Sequence, residues 1–524
     1  MQGYTTYIKQ LKERKLIMNK SLWISSSEGN KYRVLDEDKR VECLIVGGGI
    51  VGITTAYLLC KEGYKPVVVE ADYIGYGATG RNTGKITPQN GIKYSDIYKR
   101  YGVENAKKYY EANKEALKLI EKIIDENKID CDYERAPAYI YAENENDSKK
   151  VLKEFDICKE IGINCEFIMD IPLPIESYGA IKFNVGAQFN PKKYIDDLAR
   201  KVEELGGEIY EKAPMKSIDK YKDIITVHSL GGYEIKTDKL IIASHYPFYD
   251  GLSFYFARLR PERSYVVAGE YNGEFPKATF INASTPKRSL RIYNDGERRL
   301  LLVAGESHKV AHKEDEDHYG VLEEYGKEKF GVEKYQYRWS TQDYITSDNV
   351  PYIGYLNSVT KNILVATGFG KWGMSNGTVA GIILSQLYIK GKSKYLNTFT
   401  PSRSEGYLTV EFLKENTDVG IQYIMGKIKI ASKDMPDRDK GKIVSIDKSK
   451  FGVYRDLEDI FHIVDTTCTH MGCELKWNPL EKSWDCPCHG SRFGIDGEIL
   501  EGPATVPLKQ YGSETYNEIN PNFI

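Results

Sequence analysis

Residues 41–52 read Val41-Glu42-Cys43-Leu44-Ile45-Val46-Gly47-Gly48-Gly49-Ile50-Val51-Gly52. A mostly apolar run ends here on a glycine-rich turn. A helical pattern follows through Ala56, Tyr57, Leu58 and Leu59 to a stop at Gly63. Pro66-Val67-Val68-Val69-Glu70 then supplies a second short apolar strand. Strand, turn, helix and strand in that order form the unit from which a parallel sheet is wound. A lone glycine trio is a weak signal, but its place in this unit gives it meaning. Gly47 permits the tight turn, with Gly48 beside it. Gly49 lets the backbone approach a pyrophosphate, and Gly52 allows close helix packing. Glu70, followed by Ala71, can bind ribose hydroxyls. The unit predicts a dinucleotide-binding domain of α/β, Rossmann-like class.

Working outward, helical periodicity covers 104–127, 146–161 and 191–206, the last starting at Pro191 behind the possible cap Asn190. The interval 250–345 reads mainly as strands rich in Tyr, Val, Ile and Leu. Ile363-Leu-Val-Ala-Thr367 then runs into another glycine-rich turn and a helix over roughly 375–390. The dinucleotide fold therefore comes in pieces, with a second domain of α+β type inserted between them. Residues 396–406, with Thr, Pro, Ser and Gly, read as a linker. Beyond 426, short strand-like segments alternate with turns, predicting a small all-β domain. The expected division is an extension over 1–40, a nucleotide domain over 41–95, 180–250 and 340–400, and a substrate domain over 96–179 and 251–339. A linker over 401–425 and the β domain over 426–524 complete it.

With 524 residues the chain exceeds what one core can organise. Its formal net charge is -2, with both signs interspersed, which leaves no electrostatic footprint for nucleic acid or an anionic membrane surface. No apolar run reaches the roughly 18 to 20 residues that span a bilayer. Met1 to Asp38 is polar and lacks a signal-peptide core, so the expected compartment is the cytoplasm. Residues 1–17 read equally as a weakly helical arm or as a stretch preceding a true start at Met18. Cys43, Cys60, Cys131, Cys158 and Cys165 are scattered among apolar residues and read as small buried hydrophobes. Cys468, Cys473, Cys486 and Cys488 instead crowd together, as in metal binding.

That crowd reads Cys468-Thr-His470-Met-Gly-Cys473, and, with fifteen residues (471–485) between His470 and it, Cys486-Pro-Cys488-His489-Gly490-Ser491. Each half offers one thiolate and one imidazole. A Rieske 2Fe–2S centre needs this composition: two Cys on one iron and two His on the other. Zinc modules usually present a Cys pair and then a His pair, at different spacings. The candidate metal ligands are Cys468, His470, Cys486 and His489. The segment resembles the Rieske domains of quinol-oxidising cytochrome complexes. Glu501-Gly502-Pro503-Ala504 looks like that family's proline loop over the cluster. The resemblance implies a disulfide between Cys473 and Cys488 that ties the two cluster loops. That family carries a membrane anchor, and none is expected here, since no apolar run is long enough to span a bilayer. The family's high-potential members end the segment matching Ser491-Arg492-Phe493 in tyrosine, where this chain has Phe493. That difference implies a lower reduction potential.

Two further stretches bear on the nucleotide. They are Gly75-Tyr-Gly77-Ala78-Thr79-Gly80-Arg81-Asn82-Thr83-Gly84-Lys85-Ile86-Thr87 and Ala366-Thr367-Gly368-Phe369-Gly370-Lys371-Trp372-Gly373-Met374-Ser375. With residues 41–70 they resemble the FAD-dependent oxidoreductases of the D-amino-acid oxidase and glycine oxidase superfamily, over about 41–400. A bacterial subgroup of that superfamily carries a fused Rieske domain. The resemblance implies flavin contacts from Arg81, Asn82, Thr83, Gly84 and Lys85. It implies others from Gly368, Gly370, Lys371, Trp372, Gly373 and Met374, and an adenine contact through the Met215 backbone. The implied reaction is oxidation of the C–N bond of an amine or amino acid, with electrons passing from FAD to the cluster and on to an external acceptor. Two other classes remain open. One is an NAD(P)H-fed flavin and iron–sulfur reductase, although no second glycine-rich nucleotide motif is present. The other is a non-enzymatic redox-sensing module. Catalytic candidates are sparse: Tyr265 for the substrate side of the flavin and Lys371 near its reactive nitrogen. His308 and Arg288 lie in the presumed substrate domain.

Overall fold

The computed structural model describes residues 21–403, 410–428, 431–432, 434–446 and 449–511. The strand Lys39–Val46 lies inside a nine-stranded sheet. It runs parallel to Val67–Val69 on one side and Glu234–Ile242 on the other. Glu208–Glu211 continues the sheet beyond Val67–Val69, and Ile363–Thr367 pairs in parallel with Glu234–Ile242. Helices Ile50–Lys61, Pro191–Glu204 and Gly373–Lys390 join one core with Ile45, Val68 and Ile241. All three residues of Val67–Val69 are buried, as in a strand covered on both faces. The helix at Pro191 begins as its cap predicts: the Asn190 side chain accepts from Lys192 N and Lys193 N.

A second, eight-stranded sheet carries Tyr335–Thr346, Leu259–Glu270, Arg298–Lys309 and Arg288–Asp295 as neighbours, followed by Thr279–Asn282 and Ala138–Tyr141. The helix His318–Phe330 covers one face of it, through Tyr319 and Leu322. The C-terminal region holds two four-stranded antiparallel sheets. One is Lys440–Ile446, Ser449–Arg455, Phe461–Asp465 and Gln510–Tyr511; the other is Lys476–Asn478, Ser483–Asp485, Arg492–Phe493 and Ile499–Glu501. The architecture is thus an α/β nucleotide domain, a second α+β domain and a small β domain. Among the described residues no helix is long and apolar enough to cross a membrane.

Several boundaries differ from expectation. The N-terminal extension, from Ser21 onward, is built into both larger domains. Leu22 and Trp23 have no exposed surface and share a core with Val266, Leu302 and Trp339 of the second sheet, while Arg33–Val34 pairs with Tyr210–Glu211 in the large sheet. Leu22-Trp23-Ile24 is an apolar plug inside a polar stretch, and averaging over that stretch hid it. Residues 1–20 lie outside the described residues. Ala180–Phe183, expected in the nucleotide domain, pairs with Ala138–Tyr141 in the second sheet. Tyr335–Thr346 crosses the expected boundary at 340 as one continuous strand of that sheet. The expected linker over 401–425 contains most of a helix, Val410–Ile428. The helix expected over 104–127 starts at Tyr94, with a break at Gly102. Its early start has a tertiary cause: the buried Glu154 carboxylate accepts from Lys93 N, Tyr94 N and Ser95 N at 2.7–2.8 Å. A carboxylate there satisfies the orphan donors and the positive end of the helix dipole.

Candidate functional site

The glycine turn sits at the carboxyl end of Lys39–Val46. Gly47 has φ 116°, and a Cβ there would collide with the Ala243 carbonyl. A Cβ on Gly52 would collide with the Gly47 carbonyl, so the helix can close on the turn only with glycine at both positions. Gly49 is different: a Cβ there meets only Thr79 Oγ1, at 3.0 Å, leaving that side of the turn open for a ligand. The Glu70 carboxylate accepts from Gly48 N at 2.6 Å and Asp72 N at 2.9 Å, across the mouth of the turn. The backbone leading to Met215 adjoins the same residue, because Ala213 N donates to the Glu70 carbonyl. Met215 itself is buried.

The 81–85 turn lies between the two larger domains and is held by its backbone. Trp339 Nε1 donates to the Arg81 carbonyl at 2.9 Å and Trp23 Nε1 to the Asn82 carbonyl at 2.6 Å. Arg291 Nη1 donates to the Thr83 and Gly84 carbonyls at 2.9 and 2.8 Å. Trp23 and Arg291 escaped the sequence reading because neither belongs to a local motif. Lys85 is placed differently from a flavin contact through its amine. Its Nζ donates to the Phe280 carbonyl at 3.0 Å and to Ser289 Oγ, and burial, aided by Arg291, lowers its pKa to about 7. The second glycine stretch reaches the same region. Gly370 N donates to the Tyr344 carbonyl, and the helix Gly373–Lys390 starts directly behind Trp372. Lys371 Nζ is paired with Glu262 Oε2 at 2.7 Å, which together with Arg260 keeps that carboxyl ionised against its burial.

Tyr265 does not fit its expected role. It packs with Leu290 and Ile292, whereas Ser289 and Arg291, which alternate with them along one strand, hold the 81–85 turn. Tyr265 therefore faces away from the turn, stacked on His318 at 4.6 Å and bonded to His308 Nε2 at 3.1 Å. Arg288 is also taken up there, pairing with Glu306 at 2.7 Å.

In the β domain the two cysteine- and histidine-bearing loops face one another. Cys473 and Cys488 are joined as a disulfide. The sulfurs of Cys473, Cys486 and Cys488 lie within 4.8 Å of one another, but a disulfide offers no thiolate, so those three do not form a ligand set. Cys468 and Cys486 keep free, buried thiols hydrogen-bonded to each other. The His470 and His489 rings stand 5.0 Å apart, and the Nδ1 atom of each is buried without a partner. Burial holds these imidazoles down to about 4 and about 3, so both are neutral and able to bind metal at pH 7. Two thiols hydrogen-bonded to each other and two neighbouring imidazoles with orphaned ring nitrogens are carried on the same two loops, and the chemistry of that donor set fits a 2Fe–2S cluster of mixed ligation. The other five cysteines are buried free thiols, as expected.

The 486–491 loop and the 501–504 loop dock on the rest of the chain. Gln342 Nε2 donates to the Gly490 carbonyl at 2.7 Å, and Tyr344 Oη to the Gly502 carbonyl at 2.7 Å. The rings of His245 and Tyr246 each lie edge-on to Tyr344, and Tyr246 is 6.4 Å from His470. His245 follows the same strand end that packs on Gly47. A short aromatic file thus leads from the nucleotide turn to His470, one of the candidate ligands.

Comparison with known proteins agrees with this geometry. The DAO family model, described as FAD dependent oxidoreductase, matches residues 42–387. The chain belongs to this family. A second family model, the Rieske [2Fe-2S] domain, matches residues 427–512. The chain is 39% identical over 496 residues to the putative Rieske 2Fe-2S iron-sulfur protein YhfW of Bacillus subtilis, covering 93% of this chain and 96% of the relative. It is 24% identical over 396 residues to gamma-glutamylputrescine oxidoreductase of Escherichia coli, covering 71% and 90%. Among solved structures, glycine oxidase from Geobacillus kaustophilus shares the fold with a TM-score of 0.59 at 17% identity, over 70% of this chain and 99% of that one. This DAO-family oxidoreductase is therefore an enzyme that binds FAD in its nucleotide domain and a 2Fe–2S cluster in its Rieske domain.

Proposed function

We propose that this oxidoreductase removes two electrons and two protons from an amine or amino acid at the C–N bond, and that the electrons leave singly through the Rieske domain to an external acceptor. The substrate becomes an imine, which water hydrolyses to a carbonyl compound and an amine. FAD supplies hydride acceptance when bound. We assign its pyrophosphate to Gly47, Gly48, Gly49 and Gly52, its ribose to Glu70 and Ala71, and its adenine to the Met215 backbone. Its ring side belongs to Arg81–Gly84 and Gly368–Met374. The cluster ligands in this reading are Cys468, His470, Cys486 and His489.

The observation that carries the reading is the file His245, Tyr344, Tyr246 and His470, which joins the nucleotide turn to the cluster loops inside one chain. A relative whose name specifies gamma-glutamylputrescine, an amine, supports the substrate class. The test is anaerobic mixing with a panel of amines and amino acids, following flavin absorbance and cluster EPR together. An amine should bleach the flavin and then reduce the cluster, with two electrons recovered per imine. Reduction by NAD(P)H alone would support a reductase instead, and bleaching by neither a non-enzymatic redox module.

A further inference from the structure

The strand Leu259–Glu270 of the second sheet sends one guanidinium into the Rieske domain. Arg263 has no exposed surface. Its Nη1 donates to Ser340 Oγ at 2.8 Å and its Nη2 to Gln342 Oε1 at 3.1 Å, and Nη2 lies 3.4 Å from Glu501 Oε2. Glu501 also receives Arg492 Nη1 at 3.1 Å, and Arg492 Nε donates to Asp485 Oδ1 at 3.1 Å. These Rieske residues border the ligand loops. Asp485 precedes Cys486, Arg492 follows Ser491, and Glu501 leads into Gly502-Pro503. Arg81, Glu314 and Glu481 are the other charges around this network.

We propose that Arg263 tunes the cluster across the domain boundary: its buried positive charge, supplied by the flavoprotein sheet, raises the reduction potential of the cluster in the Rieske domain. Reduction adds one electron and one unit of negative charge to the cluster. A fixed cation inside the protein stabilises that charge far more than one in water, and local charge is one of the levers that set cluster potentials. Asp485 and Glu501 act in the opposite sense. Arg263 and Arg492 balance them, and only Arg492 belongs to the Rieske domain. The potential therefore depends on the domain being docked. The proposal depends on the cluster alone and not on the amine reaction.

The test is an EPR-monitored redox titration of the full-length holoprotein. Arg263→Gln should lower the equilibrium constant for cluster reduction by a factor of about ten, which for one electron is about 59 mV. Arg263→Lys should stay near wild type, since the charge is kept. Glu501→Gln should shift the midpoint upward. Simple loss of docking would move Arg263→Gln and Glu501→Gln in the same direction, so a shared direction overturns the proposal. An unchanged midpoint in Arg263→Gln, with the EPR line shape intact, overturns it as well. If Arg263→Gln fails to fold, the sign of the Glu501→Gln shift decides.

Discussion

Phe493 shows how much one atom can decide. It is fully buried, paired with Trp484, and close in sequence to Ser491, whose hydroxyl accepts from Ala504 N at 3.0 Å and bonds toward Cys468. A hydroxyl on the ring could donate to a ligand thiolate and stabilise the reduced cluster, and phenylalanine has none to give. A charge-assisted hydrogen bond is worth roughly 1.5–3 kcal/mol. Phe493→Tyr should therefore raise the potential by on the order of 60 mV. Protein-film voltammetry on the holoprotein reads it, and an unchanged or lower value with an intact cluster removes the explanation. A candidate ligand set was legible in the chain, because alternating Cys and His at fixed spacing has few other uses. Arg263 was not: nothing local distinguishes it from a solvated arginine.

At the scale of elements, one buried ion pair fastens the end of the nucleotide domain. Arg403 Nε donates to Asp348 Oδ2 at 2.5 Å and Nη2 to Oδ1 at 2.9 Å, while Nη1 donates to the Pro351 and Phe399 carbonyls. Asp348 is held well below the usual carboxylate range: burial opposes ionisation, but Arg403 and Tyr101 outweigh it. A depressed carboxyl contributes stability above its unfolded pKa of about 3.9, and that stability is lost as pH falls through the folded value. The acid limb of a stability curve should therefore begin below about pH 4. In Asp348→Asn that limb should shrink, and the variant should lose about 3–5 kcal/mol at pH 7, because Arg403 stays buried without its counter-charge. Chemical denaturation across pH checks both, and a variant as stable as wild type would show that the pair contributes nothing net.

At the scale of the whole molecule, the Rieske domain's attachment is the feature to test. Gln342 and Tyr344 each place one buried donor on a cluster-loop carbonyl. Losing such a bond costs about 1–3 kcal/mol. In a domain of fewer than 100 residues each kcal/mol moves the transition by about 4–8 °C. Gln342→Ala should therefore lower the temperature of cluster bleaching by on the order of 5 °C, with a smaller change in FAD release. Equal shifts of both signals would mean that the chain unfolds as one unit.

The sequence by itself determined the nucleotide turn, the helix at Pro191 and the pairing of Cys with His on two nearby segments. In each case the physics is local: a positive φ, a close backbone approach, an N-terminal cap, or a fixed ligand spacing. Its reading failed where neighbours in space are strangers in sequence. The early start of the helix at Tyr94 depends on a carboxylate about 60 residues away. Trp23 and Arg291 grip a turn that carries no sign of either. Tyr265 looked like a site residue, but strand alternation turned it to the other face of the sheet. Only the tertiary structure decided how the Rieske domain meets the flavoprotein, because burying Arg263 between domains requires counter-charges that folding alone brings together.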